Sequence, residues 1–286
     1  MTTLEARRTR FDWSRTPLRW IPGDAHTAHV IDVLHLLLPT GERWFARVLH
    51  HAIPLIDDAE LRAQVGGFIR QEAWHAHAHA EVVAHYKAHG VDMAPFIAKI
   101  EWLFDQLLDD EPLGREVPPR LERAWLDLRV AIIAAIEHYT AVLGAWALEA
   151  DGLDAARADA TMLDLIRWHA AEEIEHRAIA FDAARALGIG WLRRQLAYAL
   201  VAPIFWYVWI AGTRFLARAD PSPERTRPSW RRLYIATRRG RLPSVSRLAR
   251  ATLRYVWPGF HPLAEGSLER ALAYLARSPA AIAAAS

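Results

Sequence analysis

Cysteine is absent from all 286 residues. That single absence removes disulfides, thiolate zinc sites, iron–sulfur clusters and cysteine nucleophiles. Any metal must be held by carboxylates and imidazoles, a donor set that suits iron, manganese or zinc. Lysine is scarce, so arginine carries the positive charge, and the formal net charge is only +2. Runs of strand character with regularly spaced turn signals are missing as well, which argues against sheet architectures. No apolar run follows the arginines of the N-terminal MTTLEARRTRFDW. A signal peptide is therefore not expected, and the expected location is cytoplasmic.

What is present is apolar and helical in pattern. Hydrophobic residues make up 52% of the chain, enough for a full core and against wholesale disorder. The stretch 30–38 is apolar and expected to end at Pro39, with Thr40 capping a second helix that carries Glu42, Phe45 and Leu49. Asp57 and Asp58 cap a long helix toward His89, where Gly90 supplies a stop. Helices are also expected over about 95–108, from the loop EPLGREVPP to about Ala150, and from Asp154 as cap to Leu187. The expected fold is all-α: a four-helix bundle over 1–190, with 191–286 forming an apolar helix and an arginine-rich helical extension packed on it.

Within that extension, 195–213 carries no charge and is about long enough to span a bilayer. Arginines flank it on both sides, so charge asymmetry assigns no orientation. Three readings stand: a buried or oligomer-forming helix pair, which would suit a homodimer; a peripheral contact with a membrane; and a true span. The many arginines of 214–254 are read first as a solvated surface, with a patch for acidic lipid or an acidic protein as the sharper alternative; nucleic acid is not the expected partner.

The stretch RQEAWHAHAHAE places three histidines at alternate positions. On a helix at 100° per residue, His75 lies about 60° and His79 about 20° from Glu72, whereas His77 lies about 140° away. Glu72 and His75 have the E-x-x-H spacing at which one helix offers a carboxylate and an imidazole to one metal. Alone the pair is weak evidence. WHAAEEIEHRAIAFD repeats it with Glu173 and His176, and His169 adds a donor one turn earlier. Glu137 interrupts an apolar run, where an unpaired charge is costly. Glu42 stands in an expected first turn, where any acid complements the helix dipole, so it reads equally as ligand or as ordinary surface acid. Two hairpins, each with a lone glutamate followed by E-x-x-H, match the carboxylate-bridged dimetal sites of helical bundles. His169 is either a ligand or an ordinary core histidine. His79 faces inward but exceeds the usual ligand count, so it is expected to support a ligand. Glu172 also faces the site, and the spacing alone favours Glu173 over it. Glu175 and His138 point away and are expected to be solvated or to pair elsewhere.

The segments PTGERWF, QEAWHAHAHAE, EHYTAVLGAW and WHAAEEIEHRAIAFD resemble the bacterial family known as predicted metal-dependent hydrolases, a ferritin-like group. The tryptophan- and arginine-rich C-terminal part is similar to that family too. More distantly, His169-x-x-x-Glu173-x-x-His176 is similar to the seven-ligand pattern of the di-iron arylamine N-oxygenases. That resemblance implies Glu42, Glu72, His75, Glu137, His169, Glu173 and His176 as ligands of two iron ions, with manganese or zinc as alternatives. It also implies O2, an electron donor and a small apolar or aromatic substrate. The leading expectation is a non-haem di-iron oxygenase or oxidase. Metal-dependent hydrolysis with the same ligands is the alternative, since two Lewis acids can also activate water. Iron handling without catalysis is a third reading.

Overall fold

The computed structural model describes residues 4–222 and 227–285. Among them every regular element is a helix, as the patterning predicts. Helix α1 (Ala25–Ile31) opens the chain behind Asp24, whose side chain accepts from the Thr27 N–H. It is followed directly by α2 (Val33–Ala52), which forms a hairpin with α3 (Ala59–Ala88). Asp58 caps α3 by accepting from the Glu60 and Leu61 N–H groups, and Gly90 adopts a φ of 84° just beyond its end. A second hairpin follows α4 (Ala94–Trp102) and a π turn at Leu103–Leu107. It is built from α5 (Pro119–Ala147), the short α6 (Asp151–Ala155), α7 (Ala160–His176) and α8 (Ile179–Ala186). Helix α2 packs on α5 and α3 packs on α7 and α8, so the two hairpins enclose one interior.

The rest of the chain wraps this bundle. Helix α9 (Trp191–Ala219) lies along α5 and touches α1 and α2. Four short helices follow: α10 (Trp230–Arg238), α11 (Val245–Val256), α12 (Leu268–Leu275) and α13 (Pro279–Ala284). Each begins at a serine whose hydroxyl accepts from a first-turn N–H: Ser229, Ser244, Ser267 and Ser278. Helices α12 and α13 pack on α7, and one continuous apolar core runs from Trp20 to Ala281.

Three boundaries depart from the sequence expectation. Helix α2 runs through Pro39, and the break falls at Asp32 instead. An interior proline costs about 3 kcal/mol. Burial of Leu36, Phe45, Val48 and Leu49 on the same helix contributes about 1.5–3 kcal/mol each and outweighs it. Asp159, not Asp154, caps α7 by accepting from the Met162 N–H at 2.9 Å. Asp154 sits inside α6 and is paired with Arg167. The expected helix to Leu187 is broken after His176, between α7 and α8. The stretch 195–213 is neither fully buried nor a helix pair. It is part of a single helix that continues through Pro203 and buries one face only.

Candidate metal centre

Four helices converge on a buried cluster of carboxylates and imidazoles. Glu42 comes from α2, Glu72 and His75 from α3, Glu137 from α5, and His169, Glu173 and His176 from α7. All seven are buried. Helical spacing explains why each helix delivers its residues together: i, i+3 and i, i+4 positions share one face. His77 follows the opposite face and is exposed, pairing with Glu81 at 3.5 Å. The alternation of histidines is thus a helix with two of three turned inward.

The donors fall into two groups that share Glu173. Atoms of Glu42, His75, His169 and Glu173 lie within 4.8 Å of one another, as do atoms of Glu72, Glu173 and His176. His176 Nε2 lies 3.3 Å from Glu72, 3.3 Å from Glu173 and 3.4 Å from Glu137, which brings Glu137 to the second group. His169 Nε2 lies 3.1 Å from Glu173 and 3.8 Å from Glu42. His75 Nδ1 lies 3.7 Å from Glu72 and 3.6 Å from Glu173.

The unmet bonding capacity of the cluster is its most informative property. Both carboxylate oxygens of Glu42, Glu72 and Glu137, one of Glu173, His75 Nδ1 and His176 Nε2 are buried without a hydrogen-bond partner. Orphaned buried polar atoms are rare, because each forfeits its hydration. Burial and the neighbouring Glu72, Glu173 and Glu137 carboxylates push Glu42 well above the ordinary carboxylate range. Burial and Glu173 push Glu137 up to about 8. Four carboxylates crowded in a buried interior must hold protons or be offset by positive charge, and the seven side chains fit metal ions in donor type, burial and orientation.

Each imidazole is held from behind. His75 Nε2–H donates to Glu172 at 3.0 Å, and Glu172 in turn accepts from Arg7 at 2.8 Å and from the Trp168 indole at 3.1 Å. Burial alone would lower His75, but the hydrogen bond to Glu172 and the nearby Glu72 carboxylate carry it up to about 9. His176 Nδ1–H donates to Gln71 Oε1 at 3.0 Å. His169 Nδ1 shares a hydrogen bond with His79 Nε2 at 2.9 Å, and His79 Nδ1 shares one with His35 Nδ1 at 2.7 Å. His35 Nε2 lies 3.8 Å from Asp32, which accepts from Trp20 and Tyr86 and is raised by burial to about 7. In every case the outward nitrogen is engaged and the inward one faces carboxylates. Outer partners of this kind set the tautomer and aim of metal-binding histidines.

His79 and Glu172 therefore stand behind His169 and His75 as their hydrogen-bond partners. Glu175 pairs with Arg7 and Gln71, and buried His138 bonds the Ala251 carbonyl. The sequence reading misses Arg7, Asp32, His35 and Gln71. His35 had a usable signal: it precedes Glu42 by two helical turns on one face of α2, a relation concealed by the break expected at Pro39. Arg7 had none, since it reaches the site from a segment without regular structure.

Against the cluster lies a cavity of about 520 Å³, lined in part by Glu42, His169 and Glu173 and otherwise almost wholly by apolar side chains. Its volume falls within the roughly 300–1,000 Å³ typical of small-molecule sites. No curated protein and no solved structure matches the chain. The family described as predicted metal-dependent hydrolase matches residues 5–266. With nearly the whole chain covered, and with a buried cluster suited to a metal ion at its centre, this protein belongs to the family of predicted metal-dependent hydrolases.

Proposed function

We propose that the protein is a two-metal enzyme acting on an apolar substrate, with hydrolysis as the reaction that its family membership favours. The observation that carries the two-metal reading is the pair of donor groups joined by Glu173, with their carboxylate oxygens left without other partners. When bound, a metal pair supplies Lewis acidity, activates water and clamps a substrate oxygen. The chain's own residues do the rest. Glu42, His75, His169 and Glu173 would hold one ion, and Glu72, Glu137, Glu173 and His176 would hold the other. Glu172 with Arg7 keeps His75 turned inward, Gln71 does the same for His176, and His79 with His35 for His169. The apolar cavity excludes bulk water and orients a greasy substrate toward Glu42, His169 and Glu173.

One observation favours a second reading, oxygen activation at an iron pair. The donor set is rich in glutamate and lies in a helical interior beside a nearly apolar cavity, which suits O2 and a hydrocarbon substrate as well as it suits an ester. A single experiment separates the two. The chelated protein is reloaded with zinc, manganese or ferrous iron, and metal content, hydrolysis of a long-chain p-nitrophenyl ester and O2 consumption are measured on each form. Hydrolysis by the zinc or manganese form without oxygen supports the first reading. O2 uptake by the reduced iron form alone, with zinc inert, replaces it by the second. A metal-free preparation that remains folded and active removes both.

A further inference from the structure

Among the described residues two helices are long and apolar enough to cross a membrane, and they are treated oppositely by the fold. The apolar stretch of α5 is 83% buried, whereas that of α9 is only 33% buried. The outward stripe of α9 is Leu192, Leu196, Leu200, Ile204, Tyr207 and Ile210, with Leu200 53% and Tyr207 70% exposed. These positions recur every three or four residues, so they form one face along the helix. Neighbouring elements extend it. Trp191 Nε1 donates to the Val256 carbonyl at 3.1 Å, tying the start of α9 to the end of α11, where Leu253 and Trp257 are each 72% exposed. Toward its other end, Ile210 and Arg214 of α9 line the same cavity as Trp230 of α10, which is 74% exposed.

Charge surrounds this apolar face in one sign. Arg214, Arg218, Arg231, Arg232 and Arg250 are exposed and enter no ion pair among the described residues. Between Trp191 and Arg250, Asp220 is the one acid among the described residues, and it is buried against Arg19 and His29. Exposed tryptophan, tyrosine and leucine bordered by unpaired arginine complement an anionic lipid interface, in which rings and apolar side chains enter the acyl boundary and guanidinium groups meet phosphates. Since the opposite face of α9 is packed on α5, the helix can lie on a bilayer but not cross it.

The cavity links this face to the metal cluster. Exposed Leu200, Ile204, Ile210, Arg214 and Trp230 line it together with buried Glu42, His169 and Glu173, so one lining reaches from surface to metal cluster. We propose that the α9–α10–α11 face docks on an anionic lipid bilayer and that the cavity draws an acyl chain from it to the metal cluster. The second half of this inference rests on the two-metal reading and names its substrate class; the first half does not depend on it. Arg214, exposed and part of the lining, would hold a phosphate or carboxylate headgroup at the surface while the chain enters.

The test uses the full-length, metal-loaded protein with sucrose-loaded vesicles of phosphatidylglycerol or phosphatidylcholine, and doxyl-labelled stearate as the probe of the cavity. Co-sedimentation with phosphatidylglycerol but not phosphatidylcholine is expected, weakening with salt. Leu200→Glu combined with Tyr207→Glu should lower vesicle affinity about tenfold or more, because charges replace the inserted side chains. Metal content and melting temperature of that variant should stay at wild-type values, which separates lost docking from lost folding. Stearate should give an immobilised electron-spin spectrum with the wild-type protein. Absence of vesicle binding, or a freely tumbling stearate spectrum, overturns the proposal whatever the metal content. Self-association that the same substitutions abolish, with vesicles unbound, also overturns it and assigns the face to a second copy of the chain. Failure of metal loading with vesicle binding intact would instead count against the two-metal reading alone.

Discussion

Glu137 sits on α5 between Ile136 and His138, both carboxylate oxygens buried and without a hydrogen-bond partner. Such a residue must either keep its proton or have a cation beside it, since an isolated buried carboxylate is strongly disfavoured. The same reasoning discriminates between neighbours of one chemistry. His75 and His77 are two residues apart, yet one is buried with Nδ1 facing Glu72 and Glu173, and the other is exposed beside Glu81. His77→Ala is expected to leave the metal content of purified protein unchanged, whereas His75→Ala should lose at least one ion per chain. Elemental analysis of the two variants checks this, and equal loss from both would show that the inward stripe of α3 is misassigned.

At the scale of elements, the centre depends on how closely α5 approaches α7. Gly144 makes that approach feasible: a Cβ there would lie 2.9 Å from the Ala170 carbonyl oxygen and 3.4 Å from Glu173 Cβ. Backbone cannot yield as a flexible side chain can, so any larger residue must push the two helices apart. Gly144→Ala is expected to destabilise the protein by about 1–3 kcal/mol despite the better helix propensity of alanine. It should also reduce metal occupancy, because Glu137 and Glu173 sit on the two helices being separated. Urea unfolding of the metal-free variant, read beside its metal content, tests both effects. A variant as stable and as fully loaded as wild type would contradict the close approach.

For the whole molecule, the protonation of the metal-free cluster sets a pH dependence of known sign. His75 is raised to about 9, Glu137 to about 8, and His176 well above its usual range by Glu173 and Glu137 once the opposing effect of burial is overcome. Above pH 6.5 the unfolded chain has released these protons while the folded, metal-free chain retains them. Folded protein then binds more protons than unfolded, so its stability falls as pH rises from about 6.5 to 9. Depressed histidines such as His35, lowered by burial to about 3, act in the opposite sense but only below 6.5. Metal ions replace the retained protons, so the loaded protein should lose little across that window. Melting temperatures with and without chelator should therefore diverge with rising pH, and a constant gap would remove the cluster as the origin of the effect.

Much of this was legible before any tertiary structure. The absence of cysteine confined metal chemistry to oxygen and nitrogen donors, and apolar periodicity sufficed for an all-α fold, because helical faces are a local property of spacing. The same periodicity separated His75 from His77 and grouped Glu173 with His169 and His176. Tertiary packing decided what local preference could not. It carried α2 through Pro39 and thereby set His35 in line with Glu42, since burial along the helix outweighed the cost of the proline. It brought Arg7 across the chain to Glu172, a contact between residues 165 positions apart that no local pattern encodes. And it chose which of two equally apolar helices to bury. Helix α5 lies inside the bundle, while α9 finds protein on one side only and leaves the other to face outward.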